Sequence, residues 1–255
     1  MFITIKTNKG DFTLSWSNDE LIRYYEFHQS AGFFHFLPSP VDGPSDISME
    51  HFTHLLTRKI QRMTDLFFMQ IDEELPLDLT IMNIGSGAST IDLLLAKYYP
   101  SANIYLVDRD EFALMPDSLL FTDNTKDSST VFQNSWKPFE DGVLASGLNR
   151  KRFTLLDPLD EWPTSIDLIN SIWSWGWHYS YPDYISRLEN LKSGGKLRLT
   201  VLTLPDTATD FINEISSCLG NEPVVHPFIL DSTPRTRLQY GESKQHGGYY
   251  VWKKE

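Results

Sequence analysis

The stretch Leu79 to Asp110, LTIMNIGSGASTIDLLLAKYYPSANIYLVDRD, decides the fold. Leu79 to Ile84 is a short, mainly apolar run, the pattern of a strand buried on both faces. Gly85, Ser86 and Gly87 break it, and Thr90 to Tyr99 follows with Ile91, Leu94, Leu95 and Tyr98 at helical spacing. Pro100 and Asn103 punctuate, and Ile104 to Val107 reads as a second apolar strand ending at Asp108. Two glycines between a buried strand and a helix let the backbone turn sharply and approach a ligand closely. An acid at the tip of the next strand, roughly 20 residues on, is placed to accept hydrogen bonds from ribose hydroxyls. Strand, glycines, helix and strand-end acid together point to a nucleotide-like cofactor; an ordinary βαβ turn is the plainer alternative.

The chain has 255 residues, enough for one large α/β domain with an extension and a substantial core. Apolar content of 41% with 13% aromatics is globular in character. No run approaches the roughly 20 apolar residues of a membrane span, and the opening MFITIKTNKG lacks a signal peptide's apolar core. A cytoplasmic protein is the expectation. The single cysteine, Cys218, excludes an internal disulfide and a multi-cysteine metal site, and is expected in packing. A net charge of −12 disfavours nucleic acid as a partner. The densest basic cluster, Arg150 to Arg152, is expected to solvate the entrance to a strand.

Ahead of the glycine turn, residues 1–16 alternate apolar and polar on both sides of Asn8-Lys9-Gly10, a hairpin signal. Asn18 or Asp19 caps a helix carrying Leu21, Ile22, Tyr24 and Tyr25, followed by the Gly- and Pro-rich loop AGFFHFLPSPVDGPSD. Ser48 caps a longer helix to about Glu74, whose His51 and His54 lack a third partner for a metal and read as a solvated face. The division that follows is an extension over 1–76 and a cofactor domain over 77–255.

Beyond Asp108 a polar, weakly periodic interval fills 111–135, then a helix is expected between Ser135 and Leu148, with Pro138 tolerated in its first turn. Arg152 to Leu156 is a third strand ending in Asp157-Pro158; Ile166 to Ile172 is a fourth, followed by the aromatic run Trp173-Ser174-Trp175-Gly176-Trp177-His178-Tyr179. Asp183 to Leu191 reads as a helix stopped by Ser193-Gly194-Gly195, and Lys196 to Leu202 as a fifth strand. A helix over 207–219 and two closing strands, Val224 to Ile229 and Gly248 to Trp252, complete the pattern. The expected fold is α/β: a Rossmann-like, seven-stranded, mostly parallel sheet with a terminal antiparallel strand, plus a small α+β N-terminal extension.

The glycine turn, the strand-end acids, the Gly194-Gly195 passage and the two closing strands resemble the class I S-adenosylmethionine-dependent methyltransferases. The aromatic run is similar to that of bacterial and phage proteins described as sugar O-methyltransferases. Two positions depart from the family pattern. Asn83 stands where an acid is usual, and Ser89 replaces the third glycine of G-x-G-x-G. The resemblance implies S-adenosylmethionine held by Asn83, Gly85, Ser86, Gly87, Asp108, Arg109, Asp157, Pro158 and Ser171. Asp108 would take the ribose, Asp157 the adenine amino group, and Ser171 would line the methyl channel. Amino methylation of bases uses an Asn, Asp or Ser followed by Pro-Pro and an aromatic; Asn170 to Trp173 lacks both prolines, which argues against it. The implied activity is methyl transfer to a small-molecule hydroxyl such as a sugar's, with the extension over 1–76 as a cap on the substrate side. His178 is the candidate general base. Trp175, Trp177 and Tyr179 are candidate substrate surfaces, and no metal is implied. Small-molecule or protein N-methylation, a non-catalytic cofactor-binding protein, and a nicotinamide dehydrogenase remain as alternatives; the last lacks a Tyr-x-x-x-Lys relay and has no reason to include the closing strands. Oligomeric state is left open.

Overall fold

The computed structural model describes residues 2–5, 12–15, 50, 53–54, 57, 61, 78–85, 90–108, 136–171, 175, 181–202, 207–230 and 245–255. The expected N-terminal hairpin forms from β1 (Phe2–Ile5) and β2 (Phe12–Ser15), antiparallel with Phe2 opposite Ser15 and Ile5 opposite Phe12. Seven further strands make one sheet: β3 (Thr80–Ile84), β4 (Asn103–Val107), β5 (Phe153–Leu156), β6 (Ile166–Ser171), β7 (Leu191–Leu202), β8 (Val224–Leu230) and β9 (Gln245–Lys253). Their order is β5-β4-β3-β6-β7-β9-β8. From β5 to β7 all neighbours are parallel, whereas β9 runs antiparallel to both β7 and β8. The Rossmann-like, mostly parallel sheet with an antiparallel last strand is therefore present.

The helices sit where the periodicity puts them. α1 (Thr90–Tyr98) links β3 to β4, α2 (Trp136–Ala145) precedes β5, and α3 (Thr207–Leu219) follows β7. One face of the sheet carries Met82, Ile84, Ile169, Leu197, Leu199, Val201 and Trp252, closed over by Tyr184 and Leu188 and by Phe211, Ile215 and Leu219 of α3. The alternate residues point to the opposite face. There Asn83, Asn170 and Arg198 stand in register on adjacent strands, and all three are buried.

Three details differ from the sequence expectation. The segment before β7 is a 3-10 helix, Tyr181–Asn190, and β7 starts at Leu191 rather than Lys196. Leu191 already pairs with Ile166, a register shift follows, and Gly194 (φ 77°) donates its N–H to Lys254 O at 2.7 Å, so the Gly-Gly pair belongs to the sheet. Cys218 is exposed on α3 rather than packed. Arg152 does not solvate a strand entrance. Its guanidinium donates to Ala96 O (2.9 Å), Ala102 O (2.9 Å) and Tyr99 O, satisfying carbonyls at the C-terminal end of α1 with a cation. Partial burial lowers the Arg152 pKa through desolvation, without threatening its charge.

Of residues 1–76, β2 lies against α1 and α2, and Glu50, Thr53, His54, Thr57 and Gln61 are helical, with His54 exposed as expected. The expected helix near residues 19–27, the Gly- and Pro-rich loop 31–46, the rest of the longer helix with His51, and the interval 111–135 lie outside the described residues. No helix among the described residues is long and apolar enough to cross a membrane.

Candidate functional site

The strand order reverses between β3 and β6: the chain leaves β3 toward β4 and β5, then returns to β6 on its other side. Open α/β sheets bind ligands in the crevice beyond the carboxyl ends of strands at such a switch point. Gly85 ends β3 in the left-handed region (φ 69°), where an L side chain would be strained. Its N–H donates to Val107 O at 2.7 Å, tying the end of β3 to the end of β4. Asp108 follows directly, only 2% exposed, and its own N–H donates to Leu156 O at 3.2 Å. That bond brings the end of β5 alongside. Asp157 comes next, exposed, in a turn where its N–H donates to Asp160 Oδ2 (2.8 Å) and its carbonyl accepts from Asp160 N–H (3.0 Å). Pro158, within that turn, is buried. Glycine turn, first acid and second acid thus line the carboxyl edges of three adjacent strands.

Ser171 ends β6 and bridges the switch point. Its hydroxyl donates to Ile84 O (3.0 Å) and accepts from Trp175 N–H (2.8 Å), so it fastens β6 to the residue before the glycine turn. Asn83 is also held at both ends. Its Nδ2 donates to Asp92 Oδ2 (2.8 Å), while its Oδ1 accepts from Asn170 Nδ2 (3.0 Å). Asp92 was not foreseen as part of the site. It is fully buried in the first turn of α1, and its Oδ1 has no hydrogen-bond partner among the described residues. Burial pushes the Asp92 carboxyl up to about 8; the Asn83 hydrogen bond and its own backbone pull the other way, and the Asp108 charge adds to the rise. The signal available in the sequence was one acid inside the apolar run IDLLLA, at a position that must face inward with its neighbours.

Trp175 corrects a sequence expectation. It is 1% exposed, lies in the main core, and packs edge-on against Tyr184 (5.7 Å between centroids) and Phe211 (5.5 Å). Its ring fills the core between the 3-10 helix and α3 rather than offering a face to an acceptor. Ser86, Gly87, Arg109, Trp177, His178 and Tyr179 lie outside the described residues. Among the described residues, no three His, Cys, Asp or Glu side chains converge on a metal position.

The fold is an open, Rossmann-like α/β sheet with a topological switch point between β3 and β6. No protein-family model and no curated protein matches the sequence. Among solved structures, the chain is similar to a precorrin-6Y C5,15-methyltransferase from Geobacter metallireducens, at 19% identity and TM-score 0.45, over 71% of this chain and 82% of that one. It is also similar to the StiE O-MT segment 961–1257, at 15% identity and TM-score 0.49, over 83% and 79%. A methyltransferase from Pyrococcus furiosus aligns at 14% identity and TM-score 0.40, over 92% and 98%. At this distance the fold assignment rests on the strand order of the chain itself.

Proposed function

We propose that the protein is an S-adenosylmethionine-dependent methyltransferase acting on a small-molecule hydroxyl, a sugar being one such acceptor. The observation that carries the reading is the junction at the switch point: Gly85 in the left-handed region, bonded to Val107, with the buried Asp108 carboxyl one residue further on. Support also comes from the reversed β9, which distinguishes this sheet from a nicotinamide-binding one.

The residues present fit the cofactor. Asp108 offers a carboxylate to ribose hydroxyls, Asp157 is exposed and able to accept from an exocyclic amino group, and Asp92, bonded to Asn83 two residues before Gly85, leaves its buried Oδ1 unmet. Gly85 would admit the methionine portion through its backbone with Ser86 and Gly87, while Arg109 and Pro158 flank the two acids. S-adenosylmethionine supplies an electrophilic methyl group on a sulfonium. The chain's part is to hold an acceptor oxygen in line with it and to remove the hydroxyl proton as the oxygen attacks. His178, just beyond the end of β6, takes the role of base. Trp177 and Tyr179 flank the acceptor, and residues 1–76 cover the acceptor side. Ser171 acts by fixing the strand ends rather than by meeting the methyl group. The protein works in the cytoplasm on a soluble acceptor. Transfer of a labelled methyl group to a panel of sugars and phenols tests the reading: a methyl ether product supports it, and labelling of amines alone overturns the hydroxyl assignment.

A further inference from the structure

A carboxyl serves this glycine turn from an unusual place. The strand position that would carry it holds Asn83, and Asn83 donates its amide N–H to Asp92, on the first turn of α1, at 2.8 Å. Asn170 donates to the other end of the same amide at 3.0 Å. The Asn83 side chain therefore has one orientation, enforced from two elements, and Asp92 stands behind it. We propose that Asp92 is the positioning carboxyl of the cofactor turn, and that a cationic ligand taken up there displaces a proton from it into solvent. This rests on the reading of the site as an S-adenosylmethionine site.

The geometry assigns the proton. Asp92 Oδ2 already accepts from Asn83, whereas Oδ1 is buried and unpartnered among the described residues. A carboxylate with one bare oxygen in a dry site is costly, and a proton on Oδ1 removes the charge. The charged group facing Asp92 is Asp108 from the end of β4, which opposes a second negative charge. From β3 and β6 come the neutral amides of Asn83 and Asn170, and the buried Arg198 of β7 stands next in that row, beyond Asn170. β2, which lies along α1, has no titratable residue over 12–15, and on α2 Glu140 is exposed and paired with Arg150. Burial and the Asp108 charge thus both favour a proton on Asp92. An ammonium or sulfonium brought to the turn reverses the balance at Asp92: the cation enters, Oδ1–H ionises to the carboxylate, and the proton leaves to the buffer. The raised Asp92 pKa, about 8, puts the exchange within the neutral range.

The test is a proton count on the whole protein. S-adenosylmethionine and S-adenosylhomocysteine, both carrying the α-ammonium, are titrated calorimetrically at pH 6.5 in phosphate and in Tris, whose ionisation heats differ. The wild type should release close to one proton, and its affinity should rise by up to about tenfold per pH unit between roughly 6 and 8. Asp92→Asn, a near-isosteric change, should bind with neither the release nor the slope. A merely structural Asp92 would alter affinity without altering the count. Wild-type binding without proton release overturns the inference and leaves the cofactor assignment standing, as does equal release from Asp92→Asn. Should that variant not fold, the wild-type count decides alone. If neither ligand binds the wild type, both readings fail.

Discussion

Asp92→Asn makes the buried acid measurable without any ligand. In the unfolded chain the Asp92 carboxyl titrates near 3.9, and in the folded protein it is pushed up to about 8. Below pH ~4 both states hold the proton, so the group does not affect stability. Between about 4 and about 8 the folded state keeps a proton that the unfolded state has lost, and stability falls by about 1.4 kcal/mol per pH unit. Taken across the interval, the loss approaches roughly 6 kcal/mol. An asparagine at 92 cannot ionise. Its oxygen can still accept from Asn83, while its N–H2 replaces Oδ1 at the unpartnered position, a fixed cost of about 1–3 kcal/mol that does not vary with pH. The readout is therefore the slope of the difference, free of titrations common to both proteins. Urea unfolding at intervals from pH 5 to pH 8 should show the variant gaining on the wild type steadily as pH rises. Parallel stability curves would refute the burial of a proton at Asp92.

Arg152→Met keeps the stem but removes the donors to Ala96, Tyr99 and Ala102, and should cost about 2–4 kcal/mol in chemical denaturation. Trp175→Ala should lower stability by about 3–5 kcal/mol, as expected for a large core side chain, and residual activity should track the folded fraction. His178→Ala should cut turnover by about 10²–10⁴ at nearly unchanged cofactor affinity and melting temperature. A folded His178→Ala protein with a near-normal rate would remove His178 from the mechanism.

What the sequence could show depended on the range over which each feature is built. β3, α1 and β4 were legible because an apolar run, a glycine break and a helical period are local patterns, and α3 over 207–219 was legible for the same reason. The strand-end acids Asp108 and Asp157 were legible because a strand's direction fixes which end meets the crevice. The row Asn83, Asn170 and Arg198 was not, because it exists only through the register of β3, β6 and β7, which are not successive in the chain. Arg152 read as a solvated cation because the carbonyls it caps lie some 50 residues earlier. Trp175 stood in an aromatic run at a strand end, where composition alone does not say which ring turns into the core; Tyr184 and Phe211, from later elements, decide it. Asp92 was hidden by its place in the first turn of a helix, where an acid ordinarily needs no further explanation.

If the crevice beside Gly85 and Asp108 holds S-adenosylmethionine, as proposed, Asp108 is the residue whose loss shows it most directly. Calorimetric titration of wild type and Asp108→Ala with S-adenosylhomocysteine and with NAD compares the two cofactor classes on one protein. Saturable S-adenosylhomocysteine binding is expected, weakened by about 1–3 kcal/mol in Asp108→Ala, with no heat from NAD. Saturable NAD binding with no response to S-adenosylhomocysteine would contradict it.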